Sequence, residues 1–204
     1  MSLFPPPELK DQPARERILL TAHQLFYRDG IRATGIDRVI AESGVAKVTF
    51  YRHFPSKNEL IQAFLAYRHE KWMDWFTHAL HRHGAEHRGI EALAPALREW
   101  FEDEGFRGCA FINGVIELGG TQPEIVYAAR RHKERMTAVI AGLLFASKNP
   151  LLNAQALALA VDGAIVHAQF ADNPDEALAS FSHLVSSFQR DENGSSLSAQ
   201  FTII

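Results

Sequence analysis

The residues between positions 47 and 57 combine cationic, hydroxyl-bearing and aromatic side chains. An arginine can read guanine through two hydrogen bonds, and a threonine can contact a thymine methyl group or a phosphate. Lysine and tyrosine side chains suit phosphate oxygens. This combination predicts contact with double-stranded DNA, through Lys47, Thr49, Tyr51, Arg52, His53 and Lys57.

Two short helices within residues 34–57, TGIDRVIAESGVAKVTFYRHFPSK, would position these groups. Gly44 supplies the turn between them, as a helix-turn-helix requires. The apolar residues expected to fix the crossing of the helices are Ile36, Val39, Ile40, Val45, Val48 and Phe50. The second helix would then present its other face to a major groove. Val48 is expected to serve both purposes, and it is also included among the predicted DNA contacts.

Thr34 precedes the first of these helices and is predicted to be its N-cap. At that place its hydroxyl and the free backbone N–H groups of the helix can hold a phosphate, so Thr34 completes the predicted DNA-binding set. Ser56 and Glu59 have the spacing of a capping box, which predicts the start of a long helix over residues 57–82.

The charge of the chain is divided unevenly. The whole chain has 21 basic and 24 acidic side chains, a net charge of −3 that by itself disfavours nucleic acid. Residues 1–57 hold nine basic and six acidic side chains, whereas the remainder holds 12 and 18. A basic segment joined to an acidic body is typical of a chain with a local electrostatic footprint for DNA.

The composition is that of a folded helical protein. Apolar residues make up 47% and charged residues 22% of the 204 residues, and these proportions exclude a disordered or collagen-like chain. The pattern predicts an all-α fold of about nine helices, without strand alternation. One cysteine, no secretion signal and no apolar run of about 18 residues favour a cytoplasmic location, away from membranes.

The sequence resembles the TetR family of one-component transcriptional regulators over residues 14–60. The resemblance is carried by Gly30-Ile31, Thr34, Ile40-Ala41 and the run GVAKVTFYRHFPSKNEL at 44–60. It implies a homodimer with a DNA-binding head and a C-terminal domain that binds an inducer. The expected divisions are an arm at 1–13, the helix-turn-helix domain at 14–57, the ligand-binding and dimerisation domain at 58–190 and a loose tail at 191–204.

The function implied is that of a repressor released from a palindromic operator by a small molecule. An activator fits the same residues, and the inducer and operator cannot be read from them. A helical binding or enzyme-like protein with an incidental helix-turn-helix is the alternative. We find no arrangement of residues that indicates catalysis, and predict neither an enzyme nor a cofactor.

The aromatic residues of the C-terminal region fit either a core or an apolar ligand pocket, because both use the same residue types. Three polar residues within otherwise apolar helices could orient a ligand. The candidates are Trp72, Trp75, Phe76, Trp100, Phe111, Asn113, Glu117 and His167.

The last two predicted helices, 151–171 and 174–189, carry large apolar surfaces that fit a four-helix dimer interface. The alternative is burial within one chain. The residues expected at the interface are Ala164, His167, Leu178, Phe181, Val185 and Phe188.

Histidines and the single cysteine allow two further kinds of site. His78, His81, His83 and His87 could share a metal, but polar residues near the end of a helix are the simpler interpretation. Cys109 follows Arg107 and could be redox-active, although its apolar neighbours favour a buried structural thiol. We therefore predict no metal site.

Overall fold

A computed structural model describes residues 9, 11–145 and 147–197, and for 189–197 only the backbone. Within these residues there are ten α-helices, one 3-10 helix and no strand. The helices are α1 Ala14–Asp29, α2 Ile36–Ser43, α3 Lys47–His53, α4 Lys57–Arg82, α5 Ala85–Arg88, the 3-10 helix Gly89–Ala92, α6 Leu93–Phe101, α7 Ala110–Leu118, α8 Pro123–Ala141, α9 Pro150–Phe170 and α10 Asp175–Leu197. Nine of the ten α-helices described have seven or more residues, and the prediction of an all-α chain is confirmed.

The chain divides into two compact units. Unit 1 contains the described residues up to Trp72 and the segment Arg107–His132. Its helices α1, α2 and α3 pack together, because α1 buries one apolar stripe that includes Ile18, Ala22 and Leu25. The predicted helix-turn-helix therefore shares a unit with α7 and the first half of α8.

Unit 2 contains Met73–Phe106 and the described residues from Lys133 onward. Trp100 packs against Trp75, Phe101 and Phe106, with ring centroids 5.3–6.0 Å apart. Helices α9 and α10 pack against each other in this unit.

Helix α9 is long and apolar enough to span a membrane by length and composition. Its side chains at Leu157, Val161 and Ile165 are buried inside the unit, however. One helix of this kind is weak evidence for a membrane protein, since core helices of soluble proteins pass the same test.

The structure describes only parts of the expected arm and tail. Helix α10 continues to Leu197, past residue 191, where the loose tail is expected to begin. The last part of that tail, 198–204, and most of the expected arm at 1–13 lie outside the described residues.

Candidate nucleic-acid interface

The turn between α2 and α3 is built as the sequence predicts. Gly44 has φ +64°, a left-handed conformation that suits glycine because it has no Cβ. Val39, Val45 and Phe50 are buried and fix the crossing of the two helices. The position of α3 is therefore determined by packing inside unit 1.

Helix α3 presents an exposed face made of four side chains: Lys47, Val48, Tyr51 and Arg52. Val48 is predicted both to fix the crossing of the helices and to contact DNA. It is 78% exposed and takes no part in fixing the crossing, so the first of these predictions is wrong. The Tyr51 ring packs edge-on against Phe50, with centroids 5.3 Å apart, and this contact supports the phenol at the surface.

The remaining groups of α3 have more restricted surroundings. Thr49 and His53 are half-buried at the sides of the exposed face. Lys47 Nζ lies 3.2 Å from Asp37 Oδ1 of α2, and both side chains are exposed. An exposed ion pair of this kind is worth little in water, so a phosphate can compete with Asp37 for the ammonium.

Thr34 is not the N-cap of α2. The cap is Gly35, without a side-chain hydrogen bond. Thr34 is fully buried, and its hydroxyl donates to the carbonyl oxygen of Gly30 at 2.8 Å. The hydroxyl thus closes the connection between α1 and α2.

Lys57 also has a partner inside the protein. Its ammonium donates to the carbonyl oxygen of Ile31 at 2.6 Å and lies 5.9 Å from the centroid of the Phe26 ring. Burial lowers the pKa of Lys57, and the nearby Glu117 carboxylate opposes this effect. Lys57 therefore stabilises the connection between α1 and α2. The cations of α3, Lys47 and Arg52, are exposed by contrast. The bond that a Ser56 N-cap would make is present, since the Glu59 N–H donates to Ser56 Oγ at 3.2 Å.

Helix α7 holds the same connection from a second side. Glu117 Oε2 accepts a hydrogen bond from the backbone N–H of Arg32 at 2.7 Å. Gly30 has φ +91°, and a Cβ there would lie 3.3 Å from Glu117 Oε2. Glu117, predicted as a ligand contact, is thus bonded to the connection between α1 and α2.

The start of α7 is tied to the end of α1 by Tyr27. Its hydroxyl donates to the carbonyl oxygen of Gly108 at 2.8 Å and accepts from the N–H of Arg107 at 3.1 Å. Tyr27 and Glu117 therefore join α1 and the connection after it to the two ends of α7.

Two buried polar residues that the sequence analysis missed lie beside this tie. The Arg68 guanidinium stacks 3.8 Å from the centre of the Tyr27 ring and approaches His23 Nε2 at 3.5 Å. Burial, and then the charges of Arg68 and Lys71, lower the pKa of His23 to about 3. Both residues continue the apolar stripes of their helices, a signal that could have identified them as buried.

The aromatic pocket candidates of unit 1 surround a histidine. His132 is buried, stacks on Phe111 at 3.9 Å and meets Trp72 edge-on at 5.0 Å. Its Nδ1 lies 3.0 Å from Nδ1 of His69, so at least one of these rings is neutral. His132 lies on the buried stripe of α8 with Ile125, a pattern that the sequence analysis did not use.

The other pocket candidates are elsewhere. Asn113 donates to the carbonyl oxygen of Arg107 at 2.9 Å, within unit 1. Trp75, Phe76 and Trp100 are buried in unit 2, and His167 is exposed there beside Phe170. The candidates are therefore divided between the two units.

The predicted interface residues mostly pack inside unit 2. Ala164, Leu178, Phe181 and Val185 are buried, Phe188 is half-buried and His167 is exposed. The apolar surface that α9 and α10 leave exposed consists of other residues. They include Leu159, Val166, Phe170 and Leu184, and we call these four the exposed apolar face.

Three of the four histidines at 78–87 pair with separate carboxylates. His78 lies 3.3 Å from Asp74, His81 2.9 Å from Glu86, and His83 2.7 Å from Glu99. In the described part of the chain, no three acidic, histidine or cysteine side chains are arranged to hold a metal ion. Cys109 is buried.

In the comparison with known proteins, a family model matches the N-terminal part of the chain. A family model described as "Bacterial regulatory proteins, tetR family" covers residues 18–64. The transcriptional activator FasR of Mycolicibacterium smegmatis is 26% identical over 132 residues, which are 64% of this chain and 58% of FasR. The chain therefore matches less than two thirds of this curated relative.

Solved structures extend the similarity to most of the chain. The multidrug binding protein EbrR, solved with malachite green, shares the fold with a TM-score of 0.64 and 21% identity, covering 83% of this chain and 96% of EbrR. A TetR-family transcriptional regulator from Streptomyces coelicolor has a TM-score of 0.78 and 32% identity, covering 87% of this chain and 89% of its own. With its exposed recognition helix and this extended similarity, the chain belongs to the TetR family of transcriptional regulators, whose helix-turn-helix binds DNA.

Proposed function

We propose that the protein is a cytoplasmic homodimeric repressor that leaves a palindromic operator when a small molecule binds. The exposed face of α3 is the observation that carries this proposal. It combines an arginine, a lysine, a tyrosine hydroxyl and an apolar group on a helix held by Val39 and Phe50. Such a face fits a major groove, about 12 Å wide.

The DNA contacts of the proposal are divided by chemistry. Arg52 reads a guanine, and Lys47, Tyr51 and His53 bind phosphates, while Thr49 reaches the groove from the side of the helix. Thr34 and Lys57 are left out of this set because their polar groups bond inside the protein. They position the head and do not touch DNA.

The exposed apolar face supports the homodimer. Leu159 is 74% and Phe170 69% exposed on α9, whereas Leu157, Val161 and Ile165 of the same helix are buried. Pairing α9 and α10 with their copies in a second chain would remove this surface from water. A dimer would also give two recognition helices, as a palindrome requires.

The inducer of this proposal is an apolar or aromatic small molecule. EbrR, which shares the fold, was solved with malachite green, a dye with aromatic rings. In unit 1, Trp72 and Phe111 lie beside His132 in a buried aromatic cluster with a polar group, the residue types that line sites for such ligands. An inducer shifts the DNA-binding state only if it binds the two states with different affinity.

Two measurements test the proposal. Genome-wide mapping of bound DNA identifies the operators, and transcript levels in a deletion strain give the sign of regulation. Bound sites with inverted symmetry whose neighbouring genes rise on deletion support a repressor. Falling transcripts would favour an activator, the role in the name of FasR, and absence of salt-dependent DNA binding would favour the non-regulatory alternative.

A further inference from the structure

Val48 occupies an unusual place for an aliphatic side chain. It is the second residue of α3 and is 78% exposed, whereas Val39 and Val45 in the same motif are buried. Single exposed apolar residues are common on proteins, so exposure alone carries no inference. What matters is that Val48 lies on the first turn of the helix that enters the groove, where base edges are contacted.

The neighbours of Val48 on this face are all polar. Tyr51 and Arg52 follow it by three and four residues, the spacing that places helical side chains on one side. Lys47 precedes it and is directed toward Asp37. Val48 is therefore an apolar group bordered by groups that suit phosphates and base edges.

The major groove offers one apolar partner for such a side chain. The edges of guanine, cytosine and adenine present hydrogen-bond donors and acceptors, and thymine adds a C5-methyl group. A valine held against a donor or acceptor would displace its water without replacing the hydrogen bond. A valine held against a methyl group would bury apolar surface on both sides.

We propose that Val48 reads one thymine in each operator half-site, through contact of its methyl groups with the thymine C5-methyl. The inference rests on the proposed function, because it places α3 in the major groove. Arg52 lies one helical turn further along, about 6 Å. The thymine is accordingly about two base pairs from the guanine that Arg52 reads, at about 3.4 Å per base pair.

The experiment uses the full chain and a duplex that it selects from a random-sequence library. Each thymine of the selected duplex is replaced in turn by deoxyuridine, which lacks the methyl group and keeps the base-pairing edge. One thymine per half-site should be sensitive, with affinity about fourfold lower for one methyl group and about fifteenfold lower for both half-sites.

Substitutions then assign the effect to Val48. In Val48→Ala the affinity for the thymine duplex falls, and deoxyuridine at the sensitive position causes little further loss. Val48→Thr keeps one methyl group and should lie between the two. Ile116→Ala is the matched control, because Ile116 is also 78% exposed but lies on α7; it should retain the full sensitivity to deoxyuridine.

Each result distinguishes the inference from the function on which it rests. A selected duplex with no sensitive thymine, or an undiminished deoxyuridine effect in Val48→Ala, overturns the reading by Val48 and leaves operator binding intact. A chain that enriches no sequence at all overturns both. Equal losses in Val48→Ala and Ile116→Ala would also overturn it, since they would trace the loss to general destabilisation.

Discussion

Glu117 Oε2 accepts a hydrogen bond from the backbone N–H of Arg32 at 2.7 Å, across 85 residues of sequence. The bond ties α7 to the connection between α1 and α2, and through it to the helix-turn-helix. We expect Glu117→Ala to lower the free energy of unfolding by about 1 kcal/mol and to weaken operator binding, because the head loses a fixed support.

Glu117→Gln separates the hydrogen bond from the charge. Its amide oxygen can still accept from Arg32, so most of the stability should be retained. Urea unfolding and operator titration give both quantities, and Glu124→Ala, an exposed acidic residue on α8, is the control. Wild-type behaviour of Glu117→Ala in both measurements would remove the support that we assign to this bond.

Lys57→Met tests whether the lysine acts on DNA or on the protein. Because its ammonium bonds to Ile31, we expect the free energy of unfolding to fall by about 1 kcal/mol with an unchanged salt dependence of operator binding. Lys47→Met should instead lower the salt slope by about one. A lowered slope for Lys57→Met would restore the phosphate contact that the sequence analysis predicts.

Arg52→Ala should relax base preference at one position of each half-site. Arginine that bonds two acceptors of guanine contributes about 1–3 kcal/mol of discrimination against other bases. Competition binding between the selected duplex and its single-base variants measures the effect. Arg131→Ala, an exposed arginine on α8, should leave the preference intact. Unchanged discrimination in Arg52→Ala would exclude base reading by this residue.

His23 should make the stability of the chain depend on pH. The folded state keeps the imidazole neutral down to about pH 3, whereas the unfolded chain takes up a proton near its ordinary value of 6.5. The unfolded state therefore binds more protons between these values, and the free energy of unfolding falls as the pH is lowered through this window.

At pH 5 the loss due to His23 is about 2 kcal/mol. We expect the stability difference between wild type and His23→Gln to change by this amount between pH 7 and pH 5 in urea unfolding, in favour of the variant. His87→Gln replaces an exposed histidine and should keep the wild-type dependence. Parallel pH curves for wild type and His23→Gln would contradict the assignment.

Leu159→Lys should give a folded monomer with poor operator affinity. The side chain is exposed in the single chain, so a charge there harms only an interface with a second copy. Sedimentation gives the oligomeric state, and Ile116→Lys, on an exposed residue of α7, is the control. Charges at Phe181 or Val185 would unfold unit 2, since both side chains are buried. A dimer that persists in Leu159→Lys would exclude this face.

The sequence was sufficient for features that depend on near neighbours. Gly44 and Phe50 could be assigned to a turn and a buried crossing because their partners lie within a few residues. Thr34 and Lys57 could not be assigned: the acceptor of Lys57 is 26 residues away, and that of Thr34, although near in sequence, lies in a connection whose course is set by packing. The sequence shows that Leu178, Phe181 and Val185 form an apolar stripe on one side of a helix. It does not show whether this stripe packs against the same chain or against a second copy of it.

The close approach of Glu117 to Gly30 limits how the protein can be re-engineered. Glu117 holds a backbone N–H and leaves the side chain at position 32 unrestricted, so that position should tolerate variation. Position 30 should not, because a side chain there would be strained at φ +91° and would press on the carboxylate. A chimera in which residues 1–57 are replaced by the corresponding segment of another protein would therefore need a glycine at position 30. Without it, the connection between α1 and α2 could not pack against α7 in the same way.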